Sequence, residues 1–165
     1  MTPVWLAPTA RSISWWALAA GAACLVTATA AAEYTGRSPA ELVGVIAAAL
    51  AAAVVVGLRD PAAALLAAVP TSLAVRRGRR LVLLVPVELA IWAATVDRSL
   101  GGVVALTAAG LAAAVWAPGS AGLAAGVAVP LVWVVAARAG GLTWDQHSQL
   151  VTIAALAALW TGRNR

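Results

Sequence analysis

Seven apolar runs separated by turns of a few residues constrain this chain more than any other feature of its sequence. They occupy approximately residues 15–32, 42–58, 61–75, 81–96, 101–117, 121–137 and 144–160. A helix of about 20 apolar residues crosses the roughly 30 Å hydrocarbon core of a bilayer. A helix on the surface of a soluble domain shows a polar face, and most of these runs have none. The 165 residues are 63% hydrophobic and 10% charged. A soluble domain of this size buries only about 60–70% of its chain surface, too little to hide so much apolar area. The reading is all-α: a polytopic transmembrane bundle of six or seven segments, one integral membrane domain over 1–165 and no soluble domain.

Local signals mark several boundaries. Ser38-Pro39-Ala40-Glu41 places Ser at the N-cap, Pro at the first helical position and Glu two residues further in, so hydroxyl and carboxylate each take an orphan backbone N–H. Asp60-Pro61 repeats the cap and first position for the third run. That run is short for a full crossing, so it either spans a thinned region or re-enters. Asp97-Arg98-Ser99 and Pro118-Gly119-Ser120 are turns by composition. Thr143-Trp144-Asp145-Gln146 is a capping box that starts the last segment. The first run, with Arg11 upstream and small residues at its end, also has the form of a secretory signal. Its length and its flanking Trp15, Trp16 and Tyr34 favour a retained helix.

An internal repeat is one further architecture. Aligning Arg37-Ser38 with Arg98-Ser99 brings the second run onto the fifth, and Leu50-Ala51-Ala52-Ala53-Val54 onto Leu111-Ala112-Ala113-Ala114-Val115. Three helices per unit would make the two halves inverted, with a C-terminal helix left over. Ala and Val are abundant enough that chance gives much of the same match.

The net charge is +5, and all eleven basic residues are Arg. Much of the excess is one cluster, Arg76, Arg77, Arg79 and Arg80, read as a loop between the third and fourth runs. Wedged between apolar runs, it points to anionic lipid headgroups and a cytoplasmic location rather than to nucleic acid. With the cluster inside, seven spans put the N-terminus outside and six put it inside. Both place Arg163 and Arg165 in the cytoplasm. The absence of Lys beside heavy Ala use is a habit of GC-rich bacterial genomes, so the expected location is a bacterial cell membrane.

Trp carries an apolar ring and one N–H donor, which suits the membrane–water boundary. Trp15, Trp16, Tyr34, Trp116, Trp144 and Trp160 fall near run ends. Trp92 and Trp133 do not, and are expected between helices. The single cysteine, Cys24, can form no intramolecular disulfide and reads as an apolar filler.

Glu88 is the one ionisable group well inside an apolar run. A carboxylate at the centre of a membrane helix costs about 2.5–3.5 kcal/mol, so it faces a partner or a water-filled space. Trp92 lies one turn on, on the same face. Glu88 is therefore either a proton or cation site, or a neutral group bonded to a hydroxyl such as Thr107 or Ser72 that ties helices together. Val-Pro pairs at Pro70, Pro86 and Pro130 each remove a helical hydrogen bond; they line a pathway or simply shape the helices. Gly122 and Gly126 form a GxxxG face that lets backbones approach closely, setting packing within the bundle. Asp145 and His147 are a weak metal signal, since no second His completes a set. No phosphate loop, nucleophile elbow or paired-carboxylate site is present.

Three function classes follow. A transporter or channel-like bundle built on Glu88 comes first. A non-catalytic subunit packing against a membrane partner or a second copy is the alternative. An intramembrane enzyme is third, because the polar inventory is thin. No cofactor or metal is expected.

Overall fold

The computed structural model describes residues 5–36, 40–59, 73–96, 100–117 and 119–162. Among these residues it holds α1 (Leu6–Ser12), α2 (Trp16–Thr35), α3 (Ala40–Gly57), α4 (Leu73–Thr95), α5 (Leu100–Trp116), α6 (Gly119–Ala139) and α7 (Ser148–Gly162), with no strand. The all-helical expectation holds. Two stretches, Trp16–Thr35 and Ser120–Ala139, are long and apolar enough to cross a membrane by themselves. Leu42–Gly57, Leu100–Trp116 and Ser148–Thr161 are apolar but shorter.

Six threonine hydroxyls within these helices are satisfied by their own helix. Thr27, Thr29, Thr35, Thr95, Thr152 and Thr161 each donate to a carbonyl three or four residues back. This back-bonding lets a polar side chain sit on an apolar helix. Gly36, at φ +64°, closes α2 with a left-handed residue that carries no Cβ to clash.

Four contacts fix the direction of the long helices. Arg80, near the start of α4, donates from Nη1 to the carbonyls of Leu58 (3.4 Å) and Arg59 (2.6 Å), just beyond α3. Its Nη2 meets Ser12 Oγ at 3.3 Å, at the end of α1. Opposite, Trp144 lies against Gly44 near the start of α3 and Gly102 near the start of α5. Trp116, the last residue of α5, donates its Nε1 to Ala158 O, near the end of α7, at 2.8 Å. Helices α3, α5 and α7 thus run from the Trp144 end to the Arg80 end, and α2, α4 and α6 run back.

Helix α3 is the centre, packed against α2, α4, α5 and α6. Its Ala47, Ala48, Leu50, Ala51, Val54 and Val55 are buried. Small side chains are what allow four neighbours to crowd one helix. The same logic governs α5 and α6. A Cβ on Gly126 would stand 2.8 Å from Gly110 O, and one on Gly110 would stand 2.8 Å from Gly126 O. Pro130 has no N–H for the carbonyl of Gly126, four residues back, which leaves that oxygen turned toward Gly110. Gly126 thus faces Gly110, which the sequence did not single out, and a Cβ on Gly122 would stand 2.6 Å from Ala114 O of α5.

Several expectations are corrected. The fourth helix begins at Leu73, not after Arg80, so Arg76, Arg77, Arg79 and Arg80 occupy its first two turns instead of a loop. Arg is a good helix former and continues an apolar helix without a break. A short helix, α1, precedes the first apolar run; Pro8 near its start is tolerated there because early N–H groups have no helical acceptor. Residues 144–147 form a turn, with His147 at φ +64°, and the last helix starts at Ser148. The capping box at Thr143 is therefore not the helix start. An inverted repeat is ruled out for its best-aligned pair, since α3 and α5 run in the same direction. The helix expected over 61–75 lies outside the described residues up to 72, and its last three belong to α4. Pro70, Ser72, the Ser38-Pro39 cap, the Asp60-Pro61 cap and the Asp97–Ser99 turn also lie outside them.

Candidate functional site

The inner face of α4 is a stripe at four-residue spacing: Arg80, Leu84, Glu88 and Trp92, all 5% exposed or less. Residues i and i+4 stack on one side of a helix, so one face carries a cation, an alkyl group, a carboxyl and an indole in order along its axis. Leu84 fills the space left by Gly57 of α3, where a Cβ would come within 2.9 Å of its Cδ1.

Glu88 is fully buried. Thr107 Oγ1, on α5, donates to its Oε1 at 2.7 Å. Of the two hydroxyl partners considered from sequence, Thr107 makes the bond, and Ser72 lies outside the described residues. Thr107 is itself buried, on a helix whose neighbouring Val103, Leu106 and Ala108 are buried too. The second carboxyl oxygen, Oε2, is buried with no hydrogen-bond partner among the described residues. A carboxyl with one oxygen held and one unengaged can exchange a proton, accept a water or contact a cation, provided access opens.

Trp92 packs between helices as expected. Its neighbour is Trp144, edge to face, with ring centroids 5.9 Å apart and planes at 84°. The indole of Trp144 is wedged between two glycines. A Cβ on Gly44 would fall 2.7 Å from its Cδ1, and one on Gly102 would fall 2.6 Å from its Cζ3. This overturns the boundary role expected for Trp144. The indole N–H groups of Trp92 and Trp144 are both buried without a partner among the described residues. Trp133, expected between helices, is instead exposed on α6 and donates its Nε1 to Trp144 O at 3.1 Å. Of the other aromatic residues near run ends, Trp16, Tyr34, Trp116 and Trp160 are exposed at helix ends, and Trp15 is half-buried and donates its Nε1 to Ala10 O at 2.7 Å.

The Arg cluster divides in two. Arg80 turns inward onto the carbonyls at the C-terminal end of α3, where a helix presents its negative pole. Arg77 is exposed, and the Arg79 guanidinium stands 5.7 Å from the ring of Trp5. Pro86 is exposed on α4, while Pro130 is buried against Gly110, so the two kinks line no common space. Asp145 packs its Cβ over Gly102 and His147 is exposed in the turn. An open groove of about 410 Å³ lies between α5 and α7, walled by Leu100, Val104, Ser148, Thr152 and Ile153, away from Glu88.

Two of the sequence-selected residues, Glu88 and Thr107, meet directly, and Trp92 adjoins them one turn on. Sequence reasoning missed Trp144 beside Trp92, Gly44 and Gly102 on either side of the Trp144 ring, and the inward turn of Arg80. The spacing Arg80-Leu84-Glu88-Trp92 was the available signal for the last. No family model, curated protein or solved structure matches the chain.

Proposed function

We propose that this chain is a small multi-pass membrane protein whose helices α2 to α7 cross the bilayer, and that Glu88 is an intramembrane proton or cation site of a transporter or channel-like bundle. Support for the membrane setting comes from the outer faces. Helix α6 exposes Val129, Val132, Trp133 and Val135, and α7 exposes Leu150, Ile153, Leu156 and Trp160. Soluble monomers rarely show apolar patches beyond a few hundred Å². The six helices have 15 to 23 residues, or about 22 to 34 Å at 1.5 Å per residue, close to the bilayer core.

The observation that carries the site is the buried carboxyl of Glu88, with Oε1 held by Thr107 and Oε2 without a partner among the described residues. Proton or cation flux into liposomes containing the purified chain tests it. Glu88→Gln keeps shape and hydrogen bonding but cannot titrate or carry charge, so flux should be abolished while the fold survives. Flux equal to wild type in that variant would exclude Glu88 as the site.

The Thr107 bond also favours a second reading. It joins α4 to α5, which is what a structural tie in a non-catalytic subunit would do. On that reading Glu88→Gln is mild and Glu88→Ala destabilises.

A further inference from the structure

Glu88 is covered differently toward the two ends of the bundle. Toward the Arg80 end, the next inward residue of α4 is Leu84, fully buried and seated against Gly57 of α3, with Arg80 hydrogen-bonded beyond it. Toward the other end the next inward residue is Trp92, and the ring packed on it, that of Trp144, belongs to no helix. Glu88 and Trp92 are four residues apart on α4, and Thr107 and Gly102 are five apart on α5. Trp92 and the slot of Trp144 therefore lie about 6–8 Å along the bundle from the Glu88–Thr107 bond. Beyond Trp92 the α4 face carries only half-buried Thr95 and Val96, so the cover over Trp92 at this end comes from Trp144. The backbone of Trp144 is the turn 144–147, with left-handed residues at Gly141 (φ +71°) before it and His147 (φ +64°) at its close. Outside the slot it is held by the Nε1 of Trp133, which donates to Trp144 O, and by two bonds local to the turn, Gln146 N to Thr143 O and Ser148 N to Asp145 O. The seated indole N–H has no partner among the described residues. A buried donor left unpaired costs free energy, and water satisfies it once the ring reaches the membrane–water boundary.

We propose that Trp144 gates Glu88. Seated between Gly44 and Gly102, its ring closes the end of the bundle opposite Arg80; swung out on the 144–147 turn, it lets water, and with it protons or small cations, reach Trp92 and then Glu88. The gate serves the proton or cation site proposed above and rests on that reading. Packing holds it shut, because the ring meets two glycine backbones and the edge of Trp92. Hydrogen bonding favours the open position, so the two terms offset, as a residue that moves both ways requires. Trp92 follows by side-chain rotation alone once the ring against it has gone. Leu84 and Arg80 at the opposite end both sit within α4, and Arg80 is tied to the carbonyls of Leu58 and Arg59 and to Ser12 Oγ. Their movement would require the helix to move, whereas that of Trp144 requires only a turn.

Carboxyl labelling of the full chain in liposomes tests it, with a water-soluble carbodiimide, glycine ethyl ester as the amine, and fragment mass spectrometry to read amide formation residue by residue. In the wild type, Glu88 should react far more slowly than the exposed Glu33. Trp144→Ala should raise the rate at Glu88 about ten-fold or more, as when a closed site opens to solvent, and leave Glu33 unchanged. Trp144→Phe refills the slot and should return Glu88 to nearly the wild-type rate. Leu18→Ala makes a cavity in α2 at the Arg80 end; it should lower the thermal midpoint without raising the Glu88 rate. An unchanged Glu88 rate in Trp144→Ala would overturn the gate alone, whatever Glu88→Gln does to flux. A rise in Leu18→Ala equal to that in Trp144→Ala would mean general softening of the bundle and would also overturn it. Proton or cation flux should rise in Trp144→Ala and fall to background when Glu88→Gln is added. A labelling rise accompanied by flux indifferent to Glu88→Gln would instead overturn the transport reading on which the gate rests.

Discussion

Glu88 and Thr107 are nineteen residues apart in the chain and 2.7 Å apart in space. Thr107→Val keeps the shape of the side chain and deletes the hydroxyl. It leaves Glu88 Oε1 buried with no donor, which costs about 1–3 kcal/mol. The thermal midpoint in detergent should fall accordingly, and an unchanged midpoint would mean that the bond contributes nothing to the fold. Glu88→Ala removes the tie and opens a cavity, with an expected loss of about 2–5 kcal/mol by analogy with other large-to-small changes in packed interiors. Glu88→Gln should lose far less, because the amide oxygen still accepts from Thr107. Stability therefore orders as wild type, Gln, Ala on either functional reading, and only a flux measurement separates the two.

Elements in this protein are held by close backbone approach. The pair α5–α6 meets at Gly110 and Gly126, each facing the carbonyl of the other. Gly126→Leu would drive these backbones and Val55 of α3 apart. Overpacking of this kind costs about 3 kcal/mol or more where the neighbour is backbone and cannot rotate away. A detergent-purified variant should unfold at clearly lower temperature; wild-type behaviour would show that the two helices separate freely. At the other end, Gly44 and Gly102 receive the indole of Trp144 from both sides. Gly102→Ala should displace that ring and disturb its edge-to-face contact with Trp92, at about 1–3 kcal/mol. A change in tryptophan emission relative to wild type would report the displacement, and an unaltered spectrum with unaltered stability would count against the wedge. The short helix α1 obeys a different rule. It is held by Arg79 and Arg80 through side chains, so its position depends on α4 rather than on an apolar face of its own.

At the scale of the whole molecule, the ends of α1 and α3 and the start of α4 share the end to which α5 and α7 run. Arg concentrates on cytoplasmic sides, so this end should face the cytoplasm. Reporter fusions after Arg59 and after Arg165 should both read cytoplasmic, and one inserted at Gly141 should read the opposite side. A fusion after Arg165 that reports the far side would overturn the direction deduced for α7. Composition and run length sufficed for the helical class and for the approximate extents of α2, α3, α5 and α6, because an apolar stretch bounded by Gly, Pro and Asp has few other ways to satisfy its backbone. Glu88 was legible for the same reason: one carboxyl in an apolar run must find a partner. Direction, neighbours and inner faces were not legible. A helix that is apolar all round carries no periodic contrast between its sides, so nothing in its sequence says which side is buried. The inward turn of Arg80, the wedging of Trp144 between two glycines and the choice of Thr107 as partner arise only when α3, α4 and α5 are brought together. They are contacts between residues far apart in the chain, decided by packing and hydrogen bonding in three dimensions.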